Sequence, residues 1–497
     1  MKKYILIILC CLTSFPLWSY NVNMIVEHYS VDQGLPNNTV NCTLKDRDGF
    51  IWFGTWYGLC CFDGVKFKTF NKQEHDSDVP PRKIQRIVED KNGYIWVKTI
   101  DRKLYVFNKV TECFHAVYDD MKNYSENIQV IKLQNTAEGD VLLLTKDKNL
   151  LLAGVDEKGQ VTIKILFDSR DEINKHDYTL KHHVLCETEE YISWIGTDYK
   201  VSAVHKGAEL ASRPADFITS KINSGDKDSF TSFFEDGRKV WVGDRAGIFY
   251  SIDVRTGLVN RYVLSEIKGA ISNLLVTPAG YVYLSVAGQG TYEYDLAERR
   301  LQKINTEMND AMVTHAFIDQ YDKIWFHENE KALIYYDPLN HTAKRFPFTM
   351  FGKITTLYSE DAGERGLFFL SPAGEAWLFD REHAEMVYIN KLKQLSNDRA
   401  NQQFYHLMLD NDGVLWLSSA DEGVYCMNFP KKQFNLLSLF PQSAGRENYA
   451  TGVRALFQSK SGDIWVGTRW QSVYRMDRNG VTKHVFSTGD EHIGNVY

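Results

Sequence analysis

The chain has 497 residues and a formal net charge of −7, a small imbalance for its length that argues against a general nucleic-acid binder. Beyond the N-terminus, no stretch approaches the ~20 consecutive apolar residues that a membrane-spanning helix needs. The length suits two or three domains, unless internal repeats add up to one ring.

Lys2 and Lys3 precede an apolar run from Tyr4 to Leu12, and Ser19 supplies a small residue before a cleavage point. This is the pattern of a secretory signal over residues 1–19, giving an exported, periplasmic chain that begins near Tyr20. Cys10 and Cys11 follow Ile8 and Leu9 with no small residue before Cys10, which disfavours a lipoprotein cut. Met24 to Ser30 reads as an extra strand ahead of the first repeat. Paired with the last blade, it would close a ring and remove open sheet edges. The competing reading is a plain edge strand.

The stretch Asp48-Gly49-Phe50-Ile51-Trp52-Phe53-Gly54-Thr55 is the core of a repeating unit. Gly49 suits a tight turn, and Ile51 to Phe53 form a short apolar run suited to a strand buried on both faces. Gly54 lets another backbone pass close by, or ends the strand. Four strands are expected in this unit: Thr39 to Leu44, Ile51 to Thr55, Leu59 to Phe62, and Lys66 to Phe70.

Related units recur with large anchors at positions 52, 96, 142, 194, 241, 283, 325, 368, 416 and 465, spaced 42 to 52 residues apart. Seven of these are tryptophan (Trp52, Trp96, Trp194, Trp241, Trp325, Trp416 and Trp465) out of 11 in the chain, a concentration that marks true repeats. A period of about 40–50 with several short strands per unit is the signature of an all-β fold, the β-propeller. Ten repeats exceed the usual 4–8 blades of a ring. The expected division is therefore a seven-bladed propeller over residues 20–340 and a partial second one of about three blades over 341–497. Three blades do not close, so the chain is expected to be a fragment of a longer protein.

Six cysteines come after the signal: Cys42, Cys60, Cys61, Cys113, Cys186 and Cys426. Cys42 and Cys60 fall on the first and third strands of one blade, about 9–10 Å apart and too far to bridge. They read as small buried apolar residues. No CxxC or Cys/His spacing suggests zinc, and no metal or cofactor is expected.

No GxSxG, HExxH, P-loop or GxGxxG motif is present. His182 and His183 are adjacent rather than spaced for a helical metal pair. Asp253 to Gly257 reads as an outer hairpin turn. Binding is favoured over catalysis, on the loops between second and third strands, which share a face with the channel mouth. Four such loops carry candidate ligand residues: Trp56 and Tyr57; Asp101 and Arg102; Asp244 and Arg245; Arg469 and Trp470. Aromatic faces suit the C–H face of a sugar, and Arg and Asp suit hydroxyls or uronates. An exposed Trp56 also suits an interface anchor.

Gly34-Leu35-Pro36-Asn37-Asn38-Thr39-Val40, together with Asp48 to Thr55 and Gly58-Leu59, resembles the two-component regulator propeller repeat. Val453 to Phe457, together with Gly462 to Thr468, resembles it again. That family comprises hybrid two-component sensors of the Bacteroides group. The resemblance implies two seven-bladed propellers and a small sandwich outside the membrane. A membrane helix, a histidine kinase and a DNA-binding part would come next. It implies sensing of an oligosaccharide, control of glycan-use genes, anchoring through a downstream segment, and a homodimer as one route of signalling. Kinase, phosphotransfer and DNA binding are not carried over, because no residues here match those parts. The rivals are a protein-binding scaffold and a sialidase-like glycosidase. The latter needs three arginines, for which Arg102, Arg245 and Arg469 are candidates, and a Tyr/Glu pair.

Overall fold

A computed structural model describes residues 25–70, 80–121, 129–146, 149–167, 185–187, 190–195, 200–207, 217–221, 230–304, 313–328, 331–347, 358–363, 366–371, 376–389, 404–428, 453–468, 472–477 and 482–487. They form ten four-stranded antiparallel sheets. Only short helical turns interrupt them, at Val31–Gln33 and Tyr118–Met121. The chain divides into two compact units, Met1–Phe429 with nine of the sheets and Pro430–Tyr497 with the tenth. The signal over residues 1–19 lies outside the described residues.

Blade 1 shows how one sheet forms. Its strands are Val40–Lys45, Ile51–Thr55, Gly58–Phe62 and Phe67–Phe70. Asp46 ends the first strand, and its carboxylate accepts the backbone N–H groups of Asp48 and Phe50 at 3.0 and 2.9 Å. Gly49 occupies the left-handed region at φ +92, which a side chain would resist. The other carboxylate oxygen of Asp46 accepts the indole N–H of Trp52 at 2.8 Å. The turn and the buried anchor are thus tied by one side chain. The same bond recurs from Trp96 to Asp90, Trp241 to Asp236, Trp325 to Asp319 and Trp416 to Asp410, at 2.7–3.1 Å. Trp194 lies on the strand Tyr191–Ile195, and Trp465 on Ile464–Thr468 of the tenth sheet.

The core is divided among the wedges between neighbouring sheets. Trp52, Phe70, Phe107 and Phe114 fill the wedge between blades 1 and 2. At Gly54 a Cβ would strike the Sγ of Cys42 and come within 2.6 Å of Ile84, the first residue of the next blade. What passes close to that glycine is therefore side chains of Cys42 and Ile84, where another backbone was expected. Nine such clusters run from blade to blade around the larger unit.

The division expected near residue 340 does not hold. Ala332–Asp337 pairs in register with Thr342–Pro347, so that boundary would cut through a hairpin of the seventh blade. Trp325 packs edge-on against Phe379 of the eighth sheet, with ring centroids 4.7 Å apart. Closure comes two blades later than expected. Ile25–Tyr29 pairs with Val424–Asn428, from Ile25 opposite Asn428 to Tyr29 opposite Val424, and completes the ninth sheet. Trp416 and Val424 of that sheet share a core with Ile51 and Phe53 of blade 1. Thr43 and Ser418 hydroxyls bond at 2.7 Å across the same seam. The first unit is thus a closed ring of nine sheets among the described residues, in place of seven.

Cys42, Cys60, Cys61, Cys113 and Cys426 are free thiols. Burial pushes the thiols of Cys42, Cys60, Cys61 and Cys426 up to about 12, which makes them inert.

Candidate functional site

In blades 1 and 2, the loop between second and third strands lies at the same end as the entry to the first strand. At this end a backbone relay joins blades 1, 2 and 3. Trp56 N–H donates to the carbonyl of Thr39 at 3.1 Å, Lys83 N–H to that of Trp56 at 2.9 Å, and Ile100 N–H to that of Lys83 at 2.9 Å. Val130 N–H then donates to the carbonyl of Arg102 at 2.9 Å. Each loop is stapled to the next blade, so its side chains are carried on a rigid rim.

Along this rim Trp56 is 38% exposed and Tyr57 59%, beside a 44%-exposed Ile100. The Lys83 ammonium lies 5.5 Å from the centre of the Trp56 ring. Arg102 is exposed and held in the left-handed region at φ +67, at the tip of a turn closed by its N–H to the Thr99 carbonyl at 2.9 Å. Asp101 accepts the Thr99 hydroxyl at 2.5 Å and faces Lys103 at 3.6 Å. Behind the rim, burial brings Lys98 down to about 8, and the charges of Arg102 and Arg86 push in the same direction. Arg86 lies on the channel-lining strand of blade 2, Ile84–Glu89, and its charge also reaches His406 of blade 9. Burial, aided by that charge, brings His406 down to about 4. The rim of blades 1 and 2 thus carries the exposed rings of Trp56 and Tyr57 together with Lys83, Arg102 and the Asp101–Lys103 pair.

The structure brings together Trp56, Tyr57, Asp101 and Arg102 on two adjacent blades. Asp244 and Arg245 belong to blade 5, with two blades between. Asp244 is only 1% exposed, and its carboxylate accepts N–H groups of Ala246 and Ile248 at 2.9 and 2.8 Å. It shapes its own turn, while Arg245 is exposed. Arg469 and Trp470 lie outside the described residues. Of the three arginines a sialidase-type site would gather, Arg102 and Arg245 stand three blades apart. Lys83 and Arg86 carry no signal in the sequence because they sit on the approach to and the start of a strand, and only the neighbouring blade makes them rim residues.

The largest cluster of potential metal ligands among the described residues is Asp46, Asp48 and Glu89. The Lys109 ammonium sits at 3.1, 2.7 and 2.8 Å from the three carboxylates, so a cation of the protein already fills it.

Residues 34–57 match the family model described as the two component regulator propeller. The first blade thus carries the repeat on which the resemblance rests. No curated protein matches the chain. Among solved structures, the chain is similar to an extracellular domain assigned to the hybrid two component system BT3049 from B. thetaiotaomicron. That match has 15% identity and a TM-score of 0.32, and covers 95% of this chain and 68% of that one. The extracellular domain of BT4673 from the same organism, assigned to a one component system, aligns at 16% identity and a TM-score of 0.29, over 94% of this chain and 61% of that one. The Dos1 propeller aligns at 12% identity and a TM-score of 0.43, over 81% and 93% of the two chains.

Proposed function

We propose that this chain is the periplasmic ligand-sensing region of a hybrid two-component regulator. Its ligand is an oligosaccharide bearing acidic groups, and its output is control of glycan-use genes through kinase and DNA-binding parts on other segments. The chain itself binds and does not catalyse. The observation that carries this reading is the rim of blades 1 and 2, where Trp56 and Tyr57 stand exposed beside Lys83 and Arg102. A sugar ring stacks on the aromatic faces, and its carboxylate or sulfate takes the charge-assisted hydrogen bonds. The regulator-type repeat at residues 34–57 supports the signalling context.

The test is calorimetric titration of the full chain with uronate-containing, sulfated and neutral oligosaccharides. Anionic members are expected to bind. Trp56→Ala and Arg102→Ala should each weaken binding by about tenfold, the effect of losing one charge-assisted contact or one aromatic face. Silence with every glycan, or affinities indifferent to both variants, overturns the proposal. Because Trp56, Tyr57 and Ile100 form an exposed apolar group, the rival is a protein partner docked on the same rim. Heat from a protein partner alone would favour that scaffold reading.

A further inference from the structure

Blade 6 departs from the tryptophan–aspartate rule that builds the wedges of blades 1, 2, 5, 7 and 9. Its strands are Ile271–Val276, Tyr281–Val286, Gly290–Asp295 and Arg300–Lys303. The anchor is Tyr283, and Thr277 stands six residues before it, where blades 1, 2, 7 and 9 carry aspartate. Neither the indole nor its carboxylate partner is there to fill the space behind the turn. A cleft of about 500 Å³ remains against blade 7, within the range of small-molecule sites. Tyr281, Tyr283, Glu293, Tyr321, Asp322 and His341 line it. It opens at the end formed by the turns between first and second strands, opposite the Trp56 rim.

Glu293 is 6% exposed, and one of its oxygens accepts the hydroxyls of Tyr283 at 2.8 Å and Tyr336 at 3.4 Å. His341 Nδ1 bonds the Tyr336 hydroxyl at 3.1 Å. Burial and the neighbouring Glu293 raise both tyrosines, so they remain protonated donors to a carboxylate. Among the described residues no lysine or arginine pairs with Glu293; Lys323 nearby is taken by Asp337 at 2.7 Å. Asp322 adds a second, exposed carboxylate at φ +57. Six equivalent turns place a glycine there (Gly49, Gly93, Gly139, Gly280, Gly413 and Gly462), all with positive φ. Tyr321 is 43% exposed and already shows one ring face to a cation, with the Arg381 guanidinium 4.4 Å from its centre.

We infer that this cleft between blades 6 and 7 is a binding site for a protonated organic amine. Aromatic walls and a buried carboxylate without a cationic partner are the two elements that recognise an ammonium group. None of the lining residues is lysine or arginine, so an acidic sugar is not suited to it, and the Tyr283–Glu293 pair lacks the arginines of a sialidase-type site. The site is independent of the rim of blades 1 and 2.

The test titrates the full chain with choline and glucosamine, read by ligand-detected NMR and calorimetry. The controls are their uncharged counterparts, 3,3-dimethylbutanol and N-acetylglucosamine. At least one amine should bind at or below about 10 mM, with its neutral counterpart at least tenfold weaker. Glu293→Gln keeps an acceptor for the two tyrosines and should weaken binding about tenfold or more. Asp322→Gly restores the residue used by the six other turns, so it folds, and it should weaken binding severalfold. No binding of either amine, equal binding of the neutral counterparts, or affinity unchanged in both variants overturns the inference.

Discussion

Blades 1 and 6 fill the same wedge with different side chains. In blade 1 the buried Trp52 spans it, tied by its indole N–H to Asp46. The Lys109 ammonium of blade 2 neutralises that carboxylate at 3.1 Å. In blade 6 a phenol and a threonine stand in those places, and the buried carboxylate, Glu293, comes from the third strand without a cation among the described residues. One arrangement is closed and charge-balanced. The other leaves a cleft with a carboxylate at its floor. The ring tolerates replacement of the tryptophan in blade 6, as it does in blades 3 and 8 with Leu142 and Phe368, because every wedge keeps its own buried apolar cluster.

The largest expected effect tests whether the anchor tryptophan dominates a standard wedge. Trp96 is fully buried, and Trp96→Ala should lower stability by about 3–5 kcal/mol in urea unfolding. Tyr283→Phe in blade 6 should cost about 1–2 kcal/mol, since it removes one hydroxyl and little volume. Equal losses would dissolve the contrast between the two blades.

The charge clip comes next. Asp319 is 5% exposed and binds both Trp325 and Arg381, the latter at 2.7 Å. Asp319→Ala leaves the Arg381 guanidinium with Asp361 as its one remaining carboxylate, beside the Gly363 carbonyl, and should cost about 3 kcal/mol, read from the same unfolding curves. A loss below that of Tyr283→Phe would mean that the clip is incidental.

The blade 9 seam gives a pH signature. His406 titrates near 4 in the folded chain, against 6.5 ordinarily, because it is buried and close to Arg86. Between those values the unfolded chain binds the proton and the folded one does not. Stability is therefore lost as pH falls from about 6.5 to about 4, by about 2–3 kcal/mol. His406→Gln should flatten that limb of the stability profile; an unchanged slope would place the acid sensitivity elsewhere.

The smallest effect is a gain. Asp322→Gly removes a side chain from the left-handed region and should stabilise the fold by about 1 kcal/mol while weakening amine binding. The same exchange at Gly49 in reverse, Gly49→Asp, should destabilise by a similar amount.

Much of the fold was legible in the sequence because the repeat is local. The turn at Gly49, the apolar second strand and the tryptophan lie within eight residues of one another, and their spacing recurs down the chain. Even so, the aspartate inside the motif is not the one that holds the anchor. Asp48 stands beside the glycine, yet Asp46 makes the indole bond. Its offset of six residues recurs before Trp96, Trp325 and Trp416, and that recurrence was the available signal. The candidate rim was half legible: Trp56, Tyr57, Asp101 and Arg102 share short loops, whereas Lys83 and Arg86 join them only across a blade seam.

The sequence by itself determined the repeating unit, because strand, turn and anchor depend on residues close along the chain. Where the ring closes was decided by tertiary structure alone. Ile25–Tyr29 finds its partner at Val424–Asn428, about four hundred residues away, and no local pattern encodes which sheet an open edge will meet. The same holds for chemistry at the seams. Tyr336 reaches Glu293 and Arg86 reaches His406 because neighbouring blades pack, not because of any spacing between them.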